Sequence, residues 1–293
     1  MTADPDSPAD AFAAVGNEWR VAILRTLADA ADQDRPVRSF SEIYDRLDIE
    51  STSQLSYHLE YLDGVFVRKS GDGYSLTQAG DRVVRAIRAG TYTDRPSFER
   101  TELDGQCPVC PATTLVAAFR DGFLTVECDA CGTRVVTYDL PPAEARRETP
   151  LAVLRSCDQR VHQEYATAVR GTCPTCGGAT DVEPKRHDGP EPLDYYGVAT
   201  CEQCGHQVFA PLGVRLLYHP AVVSFFWDHG VDATAVPFWQ VHAVLDDWEV
   251  DRVQSDPPRF AVTVACDGET MRVELDEALR VSLPDGPPSS SVA

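Results

Sequence analysis

The sequence predicts an α+β chain of two parts, and three observations carry that prediction. Apolar residues recur at helical spacing through most of the first 90 residues. Four Cys-x-x-Cys turns follow, in two sets. Near the end, Phe260, Val262, Val264 and Cys266 alternate with Ala261, Thr263 and Ala265, and after Asp267-Gly268 the alternation resumes at Met271, Val273 and Leu275, the mark of half-buried antiparallel sheet. With 293 residues, 43% apolar and 25% charged, the chain is long enough for two cores and its composition is that of a folded protein. A helical unit is therefore expected at residues 10–95 and a second domain at 96–293, with loose ends at 1–9 and 284–293.

In the first unit, Phe12, Val15, Trp19, Ala22, Ile23 and Leu27 mark a helix that the polar stretch Asp32-Gln33-Asp34-Arg35-Pro36 stops. Ser39-Phe40-Ser41-Glu42 reads as a capping box opening a short helix with Ile43 and Leu47 inward. A third helix spans Ser51 to Leu62. Val65-Phe66-Val67 and Tyr74-Ser75-Leu76, joined through Gly71-Asp72-Gly73, form a hairpin, and a fourth helix runs from about Gln78 to Ala89. Three helices, a hairpin and a closing helix in about 80 residues is the order of a winged helix-turn-helix, followed by a linker at Thr93–Ser97.

In such a fold the third helix enters the major groove of DNA while the hairpin wing touches the backbone. Thr52, Ser53, Gln54, Ser56 and Tyr57 fall on its outer side, and Leu55, Leu59 and Leu62 on its inner side. The helix has no Arg or Lys, so a winged helix used only to bind protein is the alternative; Arg68 and Lys69 on the wing supply phosphate contacts in the DNA reading. Residues 64–89 carry five basic groups against Asp72 and Asp81, and Arg82, Arg85 and Arg88 either assist or form a solvated helix face.

Gly16-Asn17-Glu18-Trp19-Arg20 with Ile23-Leu24, then Ser56-Tyr57-His58-Leu59, then Gly73-Tyr74-Ser75-Leu76-Thr77 with Gly80, resembles the arsenic-repressor (ArsR) family of regulators, and its haloarchaeal members in particular, over about residues 10–90. The resemblance implies a homodimer that binds double-stranded DNA in repressor fashion. Thiolate sensing within that domain is excluded, since residues 1–106 contain no Cys, and His58, at the family's histidine position, reads as a packing residue.

Cys107, Cys110, Cys128 and Cys131 are split by 17 residues, and Cys173, Cys176, Cys201 and Cys204 by 24. These are zinc-ribbon spacings: each turn points two thiolates at one centre, and two turns complete a tetrahedron. Two structural zinc ions are expected, in modules at 105–140 and 171–212. Disulfides or iron–sulfur chemistry are the alternatives. Gly132, Gly177 and Gly205 follow three of the turns, whereas Pro111 after the first has no amide hydrogen to offer its sulfur. His206 and His187 are substitute ligands at the second site. Four thiolates leave no open position for catalysis.

Between the modules a linking helix at 150–170 is expected, with Thr149 as cap, Pro150 in its first turn, Gly171 past its end, and Leu151, Leu154, Val161, Tyr165 and Ala168 as its apolar stripe. A further helix runs from Pro220 to about His229, opening a helix and hairpin region at 218–283. Cys266 reads as a buried thiol, and the role of Cys157 is open. Tyr218, Phe225, Phe226, Trp227, Phe238, Trp239 and Trp248 are read as core, or as the lining of a pocket for an apolar effector.

Against 26 Lys and Arg stand 46 Asp and Glu, and only Lys69 and Lys185 are lysines. An acidic surface nearly free of Lys suits molar salt, where the Debye length is about 3 Å, so a halophilic cytoplasm is expected. The start lacks the basic end and apolar run of a signal peptide. No nucleophile–base set, phosphate loop or open metal motif points to an enzyme. The sequence is read as a DNA-binding transcription regulator whose second domain serves assembly or effector response. A basal adaptor contacting RNA polymerase, which a winged helix joined to a zinc ribbon also resembles, and a zinc or thiol redox sensor are the alternatives.

Overall fold

A computed structural model of the chain describes residues 7–31, 37–71, 73–186 and 194–283. The expected loop at Asp32–Pro36, the turn residue Asp72, His187, the tail from Pro284 and residues 1–6 lie outside the described residues. The protein is mixed α+β, with antiparallel sheets, and divides into two compact units: residues 1–95 with 141–143, and residues 96–140 with 144–293. Among the described residues no helix is long and apolar enough to cross a membrane.

The first unit opens with α1 (Pro8–Val15) and α2 (Glu18–Ala31) where the periodicity suggests one helix. The break has a local cause: Asn17 Oδ1 accepts the backbone N–H groups of Trp19 and Arg20, at 3.0 and 3.3 Å, and starts a new helix. Pro8 and Ala9, expected in a loose tail, are helical, because Ser7 caps them through the Asp10 amide. Next come β1 (Arg38–Ser39) and α3 (Phe40–Tyr44), where Ser39 and Glu42 form the reciprocal capping box. α4 (Thr52–Leu62) is capped by Ser51. β2 (Val67–Ser70) and β3 (Gly73–Leu76) form the hairpin, with β1 added to β3, and α5 (Gln78–Arg88) closes the unit. The first strand thus starts two residues later than its apolar run, since Phe66 is used as core beside Leu62 and Val67. Ile23, Leu24, Leu27, Ile43, Leu55, Leu59, Leu62 and Val84 fill that core.

The second unit begins with β4 (Phe98–Asp104), β5 (Thr114–Arg120), β6 (Phe123–Cys128) and β7 (Arg134–Asp139), paired in that order. Leu115, Ala117 and Phe119 of β5 and Leu124 and Val126 of β6 share the buried face at period two. After one turn, α6 (Pro142–Ala145), comes α7 (Pro150–Ala168), capped by Thr149. Its first half buries Val153, Leu154 and Cys157 against that sheet, and its second half buries Tyr165 and Ala168 in another core. Leu151, expected in the stripe, is instead exposed, with Val153 turned inward.

That other core lies between β8 (Thr180–Arg186), β9 (Tyr195–Cys201) and β10 (Gln207–Pro211), in the order β10-β9-β8, and a second sheet. After a 3-10 helix at Leu212–Tyr218 come α8 (Pro220–Asp228) and α9 (Val241–Leu245). The expected hairpin is β12 (Pro258–Cys266) and β13 (Glu269–Leu275), with Val262 opposite Val273 and Asp267-Gly268 both at positive φ. It lies within a four-stranded sheet, flanked by β11 (Glu249–Ser255) and β14 (Val281–Ser282). Phe226, Trp239 and Trp248 are core as expected, but Trp227 is 67% exposed. Cys266 is half-buried rather than buried. The cavity bounded by Tyr195, Leu212, Gly213, Leu245, Trp248 and Val250 measures about 20 Å³, room for one water and not for an effector.

Candidate functional sites

The two cysteine sets close into two clusters: Cys107, Cys110, Cys128 and Cys131, and Cys173, Cys176, Cys201 and Cys204, with all four sulfurs of each within 4.8 Å of one another. Within the clusters Cys107–Cys131 and Cys110–Cys128 lie 3.6 Å apart, sulfur to sulfur, and Cys173–Cys204 and Cys176–Cys201 lie 3.7 and 3.5 Å apart. A disulfide needs about 2.05 Å, and all ten cysteines are unbridged. A tetrahedron with metal–sulfur bonds of about 2.3 Å has edges of about 3.8 Å, so both clusters are shaped to hold one metal ion.

The two clusters are copies of one hydrogen-bonded design. In each, the first cysteine N–H donates to the carbonyl five residues on (Cys107 to Ala112, Cys173 to Gly178), and the third does the same (Cys128 to Thr133, Cys201 to His206). In each, the second cysteine precedes a strand by four positions, Thr114 of β5 or Thr180 of β8, and the fourth precedes the return strand by three.

Gly132, Gly177 and Gly205 take φ of +73°, +77° and +71° and donate to the carbonyls of Cys128, Cys173 and Cys201. A Cβ at any of the three would meet nothing within 4 Å, so the left-handed backbone and not close approach demands glycine. Pro111 costs the first knuckle no sulfur contact. The amide reaching the second cysteine comes from two residues on: Gly178 N–H donates to Cys176 Sγ at 3.4 Å, and Ala112 takes that role for Cys110.

Crowding pushes the thiols of a cluster apart. The Thr133 hydroxyl and amide hold Cys131 down at about 6, while at Cys110 the Ala112 amide is outweighed by burial and the three other thiols, which push it up to about 12. Burial opposes ionisation of Cys173, yet the Cys176 and Thr175 amides bring it to about 6. Thiolates this close repel one another, and a cation among the four sulfurs would relieve that repulsion. His206 stands outside the second quartet, its backbone carbonyl bound by Cys201 N–H. Cys157 is fully buried and pushed up by burial and then by Glu144, which makes it an inert thiol.

In the first unit, Thr52, Ser53, Ser56 and Tyr57 are exposed on α4 and Gln54 is half-buried, while Leu55, His58, Leu59 and Leu62 face the core. His58 is held neutral by burial, then by the Arg20 charge. Arg68 and Lys69 are exposed on β2, with Lys69 Nζ 5.7 Å from the Tyr74 ring centre. Of the three arginines of α5, Arg85 pairs with Asp81 at 2.7 Å and Arg88 with Asp29 at 2.6 Å, as on a solvated face.

Sequence reasoning missed three residues of this surface. Tyr61 and Glu60 are exposed one turn beyond Tyr57, and the Arg20 guanidinium lies 4.9 Å from the Tyr61 ring centre. The Tyr61 ring is in turn 4.9 Å from that of Tyr57, whose phenol pKa is raised by the neighbouring Tyr61 phenol. The signal was available in part: Tyr57 and Tyr61 are four apart on one helix, hence neighbours. Arg20, on another helix, carried none.

Residues 104–281 match a family model described as a domain of unknown function, DUF7351, and residues 8–87 match a second, DUF7347, likewise described as a domain of unknown function. No curated protein and no solved structure matches the chain. The first match spans more than half of the chain, which belongs to the DUF7351 family.

Proposed function

We propose that this DUF7351-family protein is a cytoplasmic, sequence-specific transcription regulator that binds double-stranded DNA as a homodimer. Residues 10–95 act as a winged helix-turn-helix of the arsenic-repressor kind, with α4 in the major groove and β2–β3 as the wing. In the second unit two structural zinc ions, one per four-cysteine cluster, hold the knuckles of two ribbon-like modules that serve assembly or effector response.

The observation that carries the reading is the division of α4. Four leucine and histidine positions are packed inward, a polar row, Thr52, Ser53, Ser56 and Tyr57, is left to solvent, and Arg68 and Lys69 are exposed on β2. Polar groups that reach base edges, flanked by cations for phosphates, are the minimum a groove reader needs. The acidic composition is compatible with this. At high salt counterion release adds little, and affinity then comes from short-range contacts. Zinc is the reading for the metal because four thiolates in a closed tetrahedron suit its lack of geometric preference and its structural use in small modules.

Genome-wide occupancy mapping of the full chain, beside a variant carrying Gln54→Ala and Tyr57→Ala, tests this. Discrete promoter sites that the variant loses while its circular dichroism stays unchanged are expected. Because α4 has no Arg or Lys, a polymerase adaptor is the second reading. Occupancy that follows RNA polymerase across all promoters, identical in the variant, would establish that reading instead.

A further inference from the structure

The side-chain inventory of α4 goes further than DNA binding and specifies a base composition; this step rests on the groove-reading role of α4 proposed above. Guanine presents two acceptors, N7 and O6, in the major groove, and the groups that pair with both are Arg and Lys. α4 carries neither. What the helix does offer suits A·T pairs. Gln54 carries a donor and an acceptor matched to adenine N6 and N7, and the Thr52 methyl and the Tyr57 ring are apolar surfaces for the thymine 5-methyl group.

Tyr57 is also not a free side chain. Arg20, anchored by donation to the Ala13 carbonyl at 3.1 Å, lies over Tyr61, and the Tyr61 ring packs on that of Tyr57, their centres 4.9 Å apart. The ring is ordered before any ligand arrives, so the entropy of fixing it is not charged against binding. Exposed aromatics held in this way are suited to a small, fixed apolar target.

We propose that α4 selects A·T base pairs, with Gln54 reading adenine, Thr52 and Tyr57 seated on thymine methyl groups, and Arg20 and Tyr61 acting as positioning residues for Tyr57. The test is selection of binding sites by the full chain from a library of random duplexes, followed by replacement of each thymine in the selected core with uracil, which removes the methyl alone. A core of A·T pairs is expected, with about fourfold weaker binding for each contacted methyl removed. Tyr57→Ala should abolish the thymine–uracil difference at one position of the core and leave it at the position Thr52 contacts, Tyr57→Phe and Gln54→Ala should retain both, and Arg20→Lys should reduce the Tyr57-dependent difference while keeping the charge. A G·C core, or equal binding of thymine and uracil duplexes, overturns the base assignment and leaves DNA binding standing. Enrichment of no duplex at all overturns both.

Discussion

Gly177 shows what a single residue contributes to a knuckle. Its φ of +77° with open space around the missing Cβ means that Ala fits sterically but strains the backbone, by about 1–2 kcal/mol. Gly177→Ala should therefore weaken metal binding at the second cluster about fivefold or more in a competition with a chelator, while the first cluster keeps its affinity; Gly177→Asn should recover part of the loss, since Asn tolerates this region. A second residue-scale effect belongs to His162. Its Nδ1 lies 2.6 Å from the Tyr218 hydroxyl, and its Nε2 lies 3.1 Å from the Val236 carbonyl and 3.4 Å from Asp158. The hydrogen bond with Asp158 raises its pKa against the opposing effect of burial. A histidine whose folded pKa is raised adds stability that is complete below the unfolded value of about 6.5 and is lost as pH rises through the folded one. Comparing the melting temperatures of the natural chain and Asp158→Asn should thus show the largest gap near pH 6 and a shrinking one toward pH 8.5. Asn keeps an acceptor for the Phe238 amide, which donates to Asp158 at 2.8 Å, so backbone loss does not confuse the comparison.

At the scale of elements, α4 separates buried from exposed side chains at adjacent positions. Leu55 is fully buried and Ser56 is exposed. Leu55→Ala should lower the stability of the first unit by about 2–5 kcal/mol in denaturant unfolding, and Ser56→Ala should leave it within about 0.5 kcal/mol. Elements of this kind were legible because inner and outer positions differ in polarity: α4, α5, α7 and the β12–β13 hairpin all follow from periodicity and caps. β11 was not legible, because an edge strand with six of seven residues exposed has no apolar face to alternate. β1 has two residues and exists only through its pairing with β3, which no local pattern encodes. The helix break at Asn17 was written in the sequence as a capping residue, but the apolar spacing running across it outweighed that signal. Likewise the ligand sets of the clusters could be read from spacing, whereas their shared hydrogen-bond plan could not. The intervals of 17 and 24 residues differ, and only the four- and three-residue offsets to the flanking strands reveal the repeat.

For the whole molecule, charge is distributed in keeping with a division of labour. Residues 1–100 hold 12 basic and 17 acidic groups, and residues 101–293 hold 14 and 29, so the second unit is the one least suited to approach a polyanion. The four-cysteine clusters, both in that unit, join the ends of sheets packed into its cores, and a metal ion held by each would add to the folding free energy of those sheets. In the proposed function, α4 and the β2–β3 hairpin are the parts that touch nucleic acid. Hydrogen–deuterium exchange of the full chain with and without its selected duplex measures this directly. Slowed exchange at residues 51–62 and 67–76, with the knuckles at 107–131 and 173–204 unchanged, is the predicted result; slowed exchange confined to the second unit would contradict it.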